Sequence, residues 1–418
     1  MKRLLSLFCI LFTLTVSAQR LSLYNNSTVY NHWVGTWAAA PQMPMRSFMP
    51  YNNEMTNRSV RQIVKISIGG DIVRLKISNE ESTEPLVIKS VYIAVSTDSS
   101  AIDPVSAEYL RFAGKRGVEI LPGKAVLSDA ARFPLKSLQR LAITINYKKA
   151  PKEPTVHQGS RTTTYITRGY TEPYSDFTMS FREDHWFNIA AIDVYNVQAS
   201  SIAILGNSIT DGKNSTNNAQ NRWPDVMSEE LNAPKTPFRN LNIGVLNLGI
   251  GGNCVVEQGG IGVLGKDRFD RDILMQQGVK NVIVFEGIND LGHSRDGKTT
   301  ARLLIEQYRE MIRKAHLHHL KIYGATITPM KGTGYYSAGH EEGRRMVNEW
   351  IRSSKEFDGV IDFDELMRDP ADREAMRKEW QSDWLHPNAE GYKMMGRFAA
   401  EYMRNEIENK NVAYQYKR

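Results

Sequence analysis

Five short apolar segments recur after about residue 199, and each is followed by a stretch with helical periodicity. The apolar segments predict strands at Ile202–Leu205, Leu241–Leu248, Val282–Phe285, Ile322–Ile327 and Val360–Phe363. Helices are predicted at Trp223–Leu231, Arg268–Gln277, Thr299–Leu317, Glu341–Phe357 and Ala389 to about Ile407. Strands that alternate with helices are joined by right-handed crossovers, which makes their sheet parallel. We therefore expect an α/β fold with a five-stranded parallel sheet and a ligand site at the carboxyl ends of its strands.

Residues 19–198 have a different pattern, in which short segments of alternating polarity are separated by Gly, Pro, Asn and Asp. Residues 60–68 and 72–78 alternate on either side of Gly69-Gly70-Asp71, which predicts a β-hairpin. Further strands are predicted at Leu86–Val95, Val118–Leu121 and Leu141–Tyr147. Many short strands with frequent turn residues are typical of a β-sandwich, here jelly-roll-like. The sequence thus predicts a β-sandwich domain at 19–198, followed by a second domain at 199–418.

The first 18 residues have the pattern of an export signal, with Lys2 and Arg3 before the apolar stretch Leu4–Val16 and small residues up to Ala18. We expect cleavage after Ala18 and a periplasmic or extracellular protein. Without the two signal cations, the net charge of +7 falls by two, and no long basic run remains, so nucleic-acid binding is not indicated. Cys254 would be the only cysteine left, which excludes an intramolecular disulfide and a cysteine-based metal site. No later apolar run approaches membrane-spanning length.

The first apolar segment of the α/β part leads into Gly206-Asn207-Ser208, and a second glycine follows at Gly212. Glycine lets the backbone turn sharply and approach a substrate closely. A serine at the tip of a strand-to-helix turn is one way in which proteins present a nucleophile. A single turn serine is more commonly a helix cap or a turn residue, so this segment alone does not indicate catalysis.

Three later segments also come after a predicted strand or in a loop before a predicted helix. The glycines of Asn247–Gly252, after the second strand, free backbone N–H groups to point at a ligand. Asn289, after the third strand, can offer a side-chain N–H to an oxyanion. Asp383 and His386 share a loop before the last helix, at a spacing that lets the carboxylate orient the imidazole toward a distant serine. Each segment alone also fits an ordinary turn, surface polarity or a helix cap.

Together, and in this order, the four segments resemble the GDSL, or SGNH, family of hydrolases over about residues 199–408. The resemblance implies a three-layer α/β/α fold. It also implies that Ser208 is the nucleophile and that Asp383 and His386 complete a catalytic triad.

The same resemblance implies an oxyanion hole made of the backbone N–H groups of Ser208 and Gly252 and the side chain of Asn289. The first motif of the family usually reads Gly-Asp-Ser, whereas Asn207 replaces the aspartate here. Because the catalytic roles do not rest on that position, the assignment of Ser208 stands. The departure leaves the local hydrogen bonds and the pH optimum open.

A second resemblance covers the N-terminal half. Residues 33–41 (Trp-Val-Gly-Thr-Trp-Ala-Ala-Ala-Pro) and 59–64 (Ser-Val-Arg-Gln-Ile-Val) resemble a subgroup of secreted GDSL esterases related to xylan-degradation gene products. That subgroup carries a β-sandwich before the hydrolase core. We therefore predict a serine esterase that removes acyl groups, foremost acetyl, from carbohydrate esters through an acyl-enzyme on Ser208.

Two other functions stay open. A lipase, aryl esterase or thioesterase would use the same triad, and a non-catalytic glycan-binding protein would keep only the fold. The complete set of five site residues argues against the binding protein. The chemistry needs neither a cofactor nor a metal, and the expected partner is an acylated carbohydrate or another small ester. Arg222, Trp223 and Trp384 are near the site loops in sequence, where they either line the pocket or serve packing.

Overall fold

A computed structural model describes most of the chain. The described residues are 30–45, 49–50, 54–234, 240–257 and 259–415, with side chains up to residue 408. The predicted export signal lies outside the described residues.

The N-terminal half consists of antiparallel strands. They are β1 (Trp33–Ala38), β2 (Arg58–Lys65), β3 (Gly70–Asn79), β4 (Leu86–Asp98), β5 (Ala101–Ile102), β6 (Glu108–Leu110), β7 (Val118–Ile120), β8 (Lys124–Leu127), β9 (Ala131–Leu135), β10 (Arg140–Lys149), β11 (Val156–His157), β12 (Thr164–Arg168), β13 (Phe181–Glu183), β14 (Trp186–Phe187) and β15 (Ile189–Tyr195). One sheet has the order β1-β15-β3-β8, and β9 also pairs with β3. The second has the order β13-β12-β2-β10-β4-β5, and β6 and β7 also pair with β4. β11 and β14 pair with each other.

Side chains from both of these sheets belong to one hydrophobic cluster, which includes Val60 and Ile143 from one sheet and Leu75 and Ile192 from the other. Burial of alternate side chains between two sheets explains why the strands show a period of two in the sequence. The half is thus rich in antiparallel strands, as predicted. The jelly-roll-like connectivity stays a prediction.

The predicted hairpin between residues 60–68 and 72–78 is wrong. β2 pairs with β10 and β12, whereas β3 pairs with β8, β9 and β15 in the other sheet. The turn at Gly69 leads the chain from one sheet to the other, where a Cβ on Gly69 would lie 2.3 Å from the Leu135 carbonyl oxygen. The alternation correctly indicated two strands, although β2 is buried on both faces because a second cluster that includes Ile63 and Phe177 covers its other side. Alternation does not distinguish neighbours in one sheet from strands in two facing sheets, because both bury alternate residues.

The C-terminal half contains a parallel sheet. Its strands are β16 (Ser200–Gly206), β17 (Ile243–Gly249), β18 (Val279–Phe285), β19 (Lys321–Ala325) and β20 (Gly359–Ile361). They pair in parallel in the order β17-β16-β18-β19-β20. The predicted α/β fold and its five-stranded parallel sheet are confirmed.

Helices alternate with these strands. They are α1 (Ser208–Asp211), α2 (Trp223–Asn232), α3 (Gly265–Phe269), α4 (Ile288–His293), α5 (Gly297–Leu317), α6 (Ala338–Ser353), α7 (Phe363–Met367) and α8 (Ala389–Gln415). α2 packs on α8, and α5 packs on α6. Several predicted boundaries differ from the structure by a few residues, and two of the differences have a clear cause. The helix predicted over Arg268–Gln277 is instead α3 followed by a π-helical turn at Asp270–Leu274, and the last strand ends at Ile361 because Asp362 caps α7.

The two halves pack directly on each other through β1. The Gly35 N–H donates to the Gln277 carbonyl at 2.9 Å, and the Ser201 hydroxyl donates to the Gly35 carbonyl at 2.8 Å. Ala38 and Ala40 belong to the hydrophobic cluster of the α/β half. This packing brings loops of the N-terminal half to the carboxyl ends of the parallel strands. The division of the chain at residue 198 stays a prediction.

Candidate active site

The predicted nucleophile lies where β16, an interior strand of the parallel sheet, meets α1. Asn207 caps the helix, because its Oδ1 accepts the Ile209 N–H at 3.0 Å, and Ser208 is the first helical residue. The turn is tight enough that a Cβ on Gly206 would lie 2.2 Å from the Thr210 hydroxyl oxygen. Glycine is therefore required before Asn207, and the turn presents the serine side chain at the carboxyl end of the sheet.

The structure brings Ser208, His386 and Asp383 together in one hydrogen-bonded chain. Ser208 Oγ lies 2.9 Å from His386 Nε2, and His386 Nδ1 lies 2.9 Å from Asp383 Oδ2. The backbone N–H groups of Leu385 and His386 donate to Asp383 Oδ1 at 3.1 and 2.8 Å. Asn214 Nδ2 donates to Asp383 Oδ2 at 3.0 Å. These donors fix the carboxylate, and the carboxylate fixes the imidazole against the serine.

Burial, together with two nearby cations, favours the neutral form of His386. Burial lowers the pKa of the imidazole; the Asp383 carboxylate acts in the opposite direction, and the positive charges of Lys213 and Arg161 lower the pKa further. For Asp383, partial burial raises the pKa, but hydrogen bonds from His386 outweigh that effect and hold it below its ordinary value. At neutral pH the site therefore pairs a neutral imidazole with a carboxylate, as a general base and its orienting group require.

The backbone N–H groups of Ser208 and Gly252 are both available to a ligand. Gly252 lines the same cavity as Ser208, and neither N–H donates to another described residue. Gly252 has φ of +73°, a conformation that favours glycine, and a Cβ there would lie 3.0 Å from Ile261. The sequence prediction that this glycine turn presents N–H groups is consistent with that geometry.

Asn289 lines the same cavity, and both its amide nitrogen and its amide oxygen form a hydrogen bond within the protein. Its Nδ2 donates to the Asn253 carbonyl at 2.8 Å, and its Oδ1 accepts the Tyr335 hydroxyl at 3.2 Å. The carbonyl contact uses one of the two amide hydrogens, so the second is left for a ligand. Four of the five predicted site residues, Ser208, Gly252, Asn289 and His386, thus line one cavity of about 500 Å³, and Asp383 contacts His386 from outside that wall.

A buried ion pair connects the glycine turn with the N-terminal half. Asp211 Oδ2 accepts the Gly251 N–H at 3.1 Å, and Oδ1 lies 2.9 Å from His157 Nε2. His157 Nδ1 faces the Ala40 carbonyl oxygen at 3.0 Å. Both ring nitrogens of His157 therefore lie within hydrogen-bond distance of an oxygen. The ring of Trp186 stacks on His157 with centroids 5.7 Å apart.

Asp211 remains ionised in this buried position. Burial raises the pKa of its carboxyl, but His157, with support from Arg161 and Arg222, outweighs burial and holds the pKa below its ordinary value. Neither residue of this pair was predicted from the sequence. Asp211 follows Ser208 by three residues and belongs to the same short helix, which is a usable signal. His157 lies 54 positions away along the chain on a two-residue strand, and no local pattern marks it.

The replacement of the usual aspartate by Asn207 has a structural explanation. Asn207 Nδ2 donates to Glu286 Oε2 at 3.2 Å while its Oδ1 caps α1. An ionised aspartate can make the cap but has no hydrogen to donate to a second carboxylate. Burial raises the pKa of Glu286 to about 8, although Arg268 at 3.4 Å opposes the rise. The amide therefore makes both contacts without a shared proton, which a second acid beside Glu286 would require.

The N-terminal half supplies seven of the seventeen described residues that line the cavity. Its polar contributions are Gln42, Gln158, Arg161, Asp184 and His185. None of these residues was predicted from the sequence, because their place in the site follows from the packing of the two halves. Arg222, Trp223 and Trp384, which were considered as pocket residues, are not among the described lining residues. For these three residues the packing alternative is supported: Trp223 is fully buried in the core, Arg222 pairs with Asp225, and Trp384 packs against Gly332.

In the described ranges, no group of three His, Cys, Asp or Glu side chains is arranged to hold a metal ion. Of the helices in the same part of the chain, none combines the length and the apolar character needed to cross a bilayer.

Comparison with known proteins fits this geometry. Residues 204–394 match the family model of GDSL-like lipases and acylhydrolases. These residues, which make up slightly less than half of the chain, are thus similar to GDSL-like acylhydrolases. No match was found among curated proteins.

Several solved structures are similar to about half of this chain. A GDSL-like lipase from Bacteroides thetaiotaomicron is 15% identical, with 50% of this chain and 89% of that chain covered and a TM-score of 0.36. A carbohydrate acetylesterase from Sinorhizobium meliloti is 13% identical, with 49% and 98% covered and a TM-score of 0.38. The aryl esterase of M. smegmatis is 14% identical, with 49% and 99% covered and a TM-score of 0.38.

The Asn207–Glu286 contact predicts a pH-dependent loss of stability in Asn207→Asp. Two facing buried carboxyls share one proton in the folded state, whereas both ionise in the unfolded chain above about pH 5. The folded state of the variant then binds more protons than its unfolded state, so the free energy of unfolding falls as pH rises. Urea unfolding should show a loss of about 1–3 kcal/mol at pH 9 and a smaller loss at pH 5. Asn207→Asp combined with Glu286→Gln should recover stability; unchanged unfolding of the single variant at both pH values would contradict this account.

The electrostatics of His386 predict the acid limb of the rate profile. Hydrolysis requires the neutral imidazole, and its lowered pKa keeps that form populated at lower pH. kcat/KM for p-nitrophenyl acetate should rise with pH through a midpoint below about 6.5, the ordinary value for histidine. Lys213→Gln removes a nearby cation and should move the midpoint upward. A flat profile, or a midpoint above the ordinary value, would argue against His386 as the base.

Proposed function

We propose that the protein is a serine esterase that removes acyl groups, foremost acetyl, from carbohydrate esters. The similarity to GDSL-like acylhydrolases supports action on esters in general. The observation that carries the proposal is the hydrogen-bonded chain from Ser208 through His386 to Asp383, with Gly252 and Asn289 in the same cavity.

In the proposed acylation, Ser208 Oγ attacks the ester carbonyl while His386 Nε2, 2.9 Å away, accepts its proton. Asp383 holds the ring and stabilises its cationic form. The negative oxygen of the tetrahedral intermediate accepts hydrogen bonds from the N–H groups of Ser208 and Gly252 and from the Asn289 amide. When the intermediate collapses, the ester C–O bond breaks and the leaving alcohol takes the proton from His386.

In the proposed deacylation, a water molecule gives its proton to His386 and attacks the acyl group on Ser208. The same donors stabilise the second oxyanion, and the acid leaves as Ser208 regains a proton from His386. Each step uses groups of this chain, so the reaction requires no cofactor or metal.

The composition of the cavity wall supports a short acyl group and a polar alcohol. Apart from glycines, the apolar and aromatic contributions are Met45, Ile261, Tyr335 and Leu385. Four side chains suffice to surround an acetyl group, but a long acyl chain needs an extended apolar groove to gain about 0.8 kcal/mol per buried CH₂. The remaining wall is polar and offers hydrogen bonds to sugar hydroxyls. Met45 and Ile261 are 41% and 39% exposed, which favours aryl or longer acyl esters as the second candidate.

Three further parts of the proposal rest on the sequence patterns described above. They are export to the periplasm or the cell exterior, the division into a β-sandwich and a catalytic domain at residue 198, and the link to the xylan-associated subgroup.

The proposal predicts preference for acetyl esters, and dependence on Ser208. kcat/KM should fall along a p-nitrophenyl ester series from two to twelve carbons, and the enzyme should release acetate from at least one acetylated glycan among xylan, pectin and host-type glycans. Ser208→Ala should abolish turnover with an unchanged melting curve, whereas Ser215→Ala, which removes a buried hydroxyl without a hydrogen-bond partner, should not. Asn289→Ala should lower kcat by about 10²–10³ with a smaller effect on KM, since its contact strengthens in the transition state.

Two outcomes would redirect the proposal. A kcat/KM that rises with chain length, without acetate release from any glycan, would favour the lipase or aryl esterase function. Glycan binding without hydrolysis of any ester would favour the non-catalytic binding protein.

A further inference from the structure

Arg161 carries a guanidinium group on the wall of the catalytic cavity but donates no hydrogen bond to any described residue. Its closest carboxylate oxygen is Asp211 Oδ2, which lies 3.9 Å from Nη2 and is therefore beyond hydrogen-bond distance. Its Nε is buried without a partner. A guanidinium has five N–H donors, and buried donors in proteins are nearly always satisfied. An arginine that uses none of them at a cavity wall is available to a ligand.

The backbone holds Arg161 in a constrained position. Its φ of +49° lies in the left-handed region, which is uncommon for a bulky residue. The Arg161 carbonyl accepts the Asn218 N–H at 2.9 Å, and the neighbouring Ser160 hydroxyl, which is buried, donates to the Thr162 carbonyl at 2.7 Å. These bonds maintain the turn after β11. Backbone strain of this kind is found at ligand sites, where surrounding contacts over-determine the conformation.

The two carboxylates of the cavity wall are already engaged by other groups. Asp211 is bound by His157 and the Gly251 N–H. Asp184 accepts the Thr163 hydroxyl at 3.2 Å and the Asn217 amide at 2.8 Å. Neither carboxylate therefore satisfies the hydrogen bonds of the Arg161 guanidinium.

A second cation lies on the same wall. Lys213 is exposed, lines the cavity, and has no carboxylate partner within the described part of the chain. The charges of Lys213 and Arg161 both act on His386, whose pKa they lower in addition to burial. Both cations line the same cavity as Ser208 and His386, where the alcohol part of a bound ester would lie.

We propose that Arg161 and Lys213 form an anion subsite for a carboxylate on the alcohol part of the ester. The preferred substrate is then an acylated acidic sugar of the uronic acid class rather than a neutral one. The paired donors of a guanidinium match the two oxygens of a carboxylate, and Lys213 adds a point charge. This inference rests on the proposed function, because the subsite lies in the cavity that holds Ser208. A sulfo group presents similar anionic oxygens, so it forms a separate arm of the test.

The test compares three aryl acetates that differ in the substituent opposite the ester. They are 4-acetoxybenzoate, its neutral methyl ester and 4-acetoxybenzenesulfonate, with each rate normalised to uncatalysed hydrolysis. The wild-type kcat/KM should favour the carboxylate over the neutral ester about ten- to a hundredfold, the effect of one charge-assisted hydrogen bond. Arg161→Gln should bring the ratio close to one, and Lys213→Gln should reduce it less. Lys149→Gln removes the same charge from an exposed position outside the cavity and should leave the ratio unchanged.

Arg161→Lys provides a second variant that keeps the charge but not the paired donors. Its ratio of kcat/KM for the carboxylate to that for the neutral ester should lie between the ratios of the wild type and Arg161→Gln. A matched polymer comparison uses acetate release from acetylated polygalacturonate and from acetylated neutral xylan, where the wild type should prefer the acidic polymer.

The outcomes distinguish failure of the proposed esterase function from failure of the proposed anion subsite. If the wild type hydrolyses none of the esters, the proposed function itself fails. If it hydrolyses the neutral and carboxylate esters equally, or if both Arg161 variants keep the wild-type ratio, the subsite is overturned while the esterase remains. A greater preference for the sulfonate would overturn the carboxylate assignment.

Discussion

The buried carboxylate of Asp211 is the interaction on which the site depends. It lies one helical turn after Ser208, one of its oxygens binds the Gly251 N–H, and the other binds His157. One side chain therefore fixes the nucleophile helix, the glycine turn and the N-terminal half relative to one another. Removal of one partner from a buried ion pair generally costs about 3–5 kcal/mol, because the other charge is left buried without compensation. The geometry of the oxyanion donors thus depends on a contact between the two halves.

Through the contact between Asp211 and His157, the N-terminal half becomes part of the active site. Gly159 has no room for a side chain, since a Cβ would lie 1.9 Å from Asp211 Oδ2. The same loop continues to Arg161, which faces the cavity. The antiparallel half therefore both supports the catalytic turn and supplies polar groups where the alcohol part of a substrate would lie. A free α/β half would retain the triad residues but lose this wall.

The strands of the parallel sheet and the residues that directly follow them could be predicted from the sequence. Apolar segments at regular intervals specify the parallel strands, and the residues after each strand reach the same edge of the sheet, so Ser208 and Asn289 were found together. The hairpin failed because alternating polarity defines a buried face but not a pairing partner. His157 and Arg161 were missed because only the packing of the two halves brings them to the serine. For Trp223, which the sequence left open between the cavity and the core, the structure supports packing in the core.

The central claim is that Ser208 is the nucleophile activated by His386. Its most direct test is modification by a serine-directed phosphonate, followed by peptide mass spectrometry and an esterase assay on the same sample. The account predicts one modified residue, Ser208, with loss of esterase activity in proportion to the modified fraction and very slow labelling of His386→Ala. Modification at another residue, or full activity after complete modification of Ser208, would contradict it.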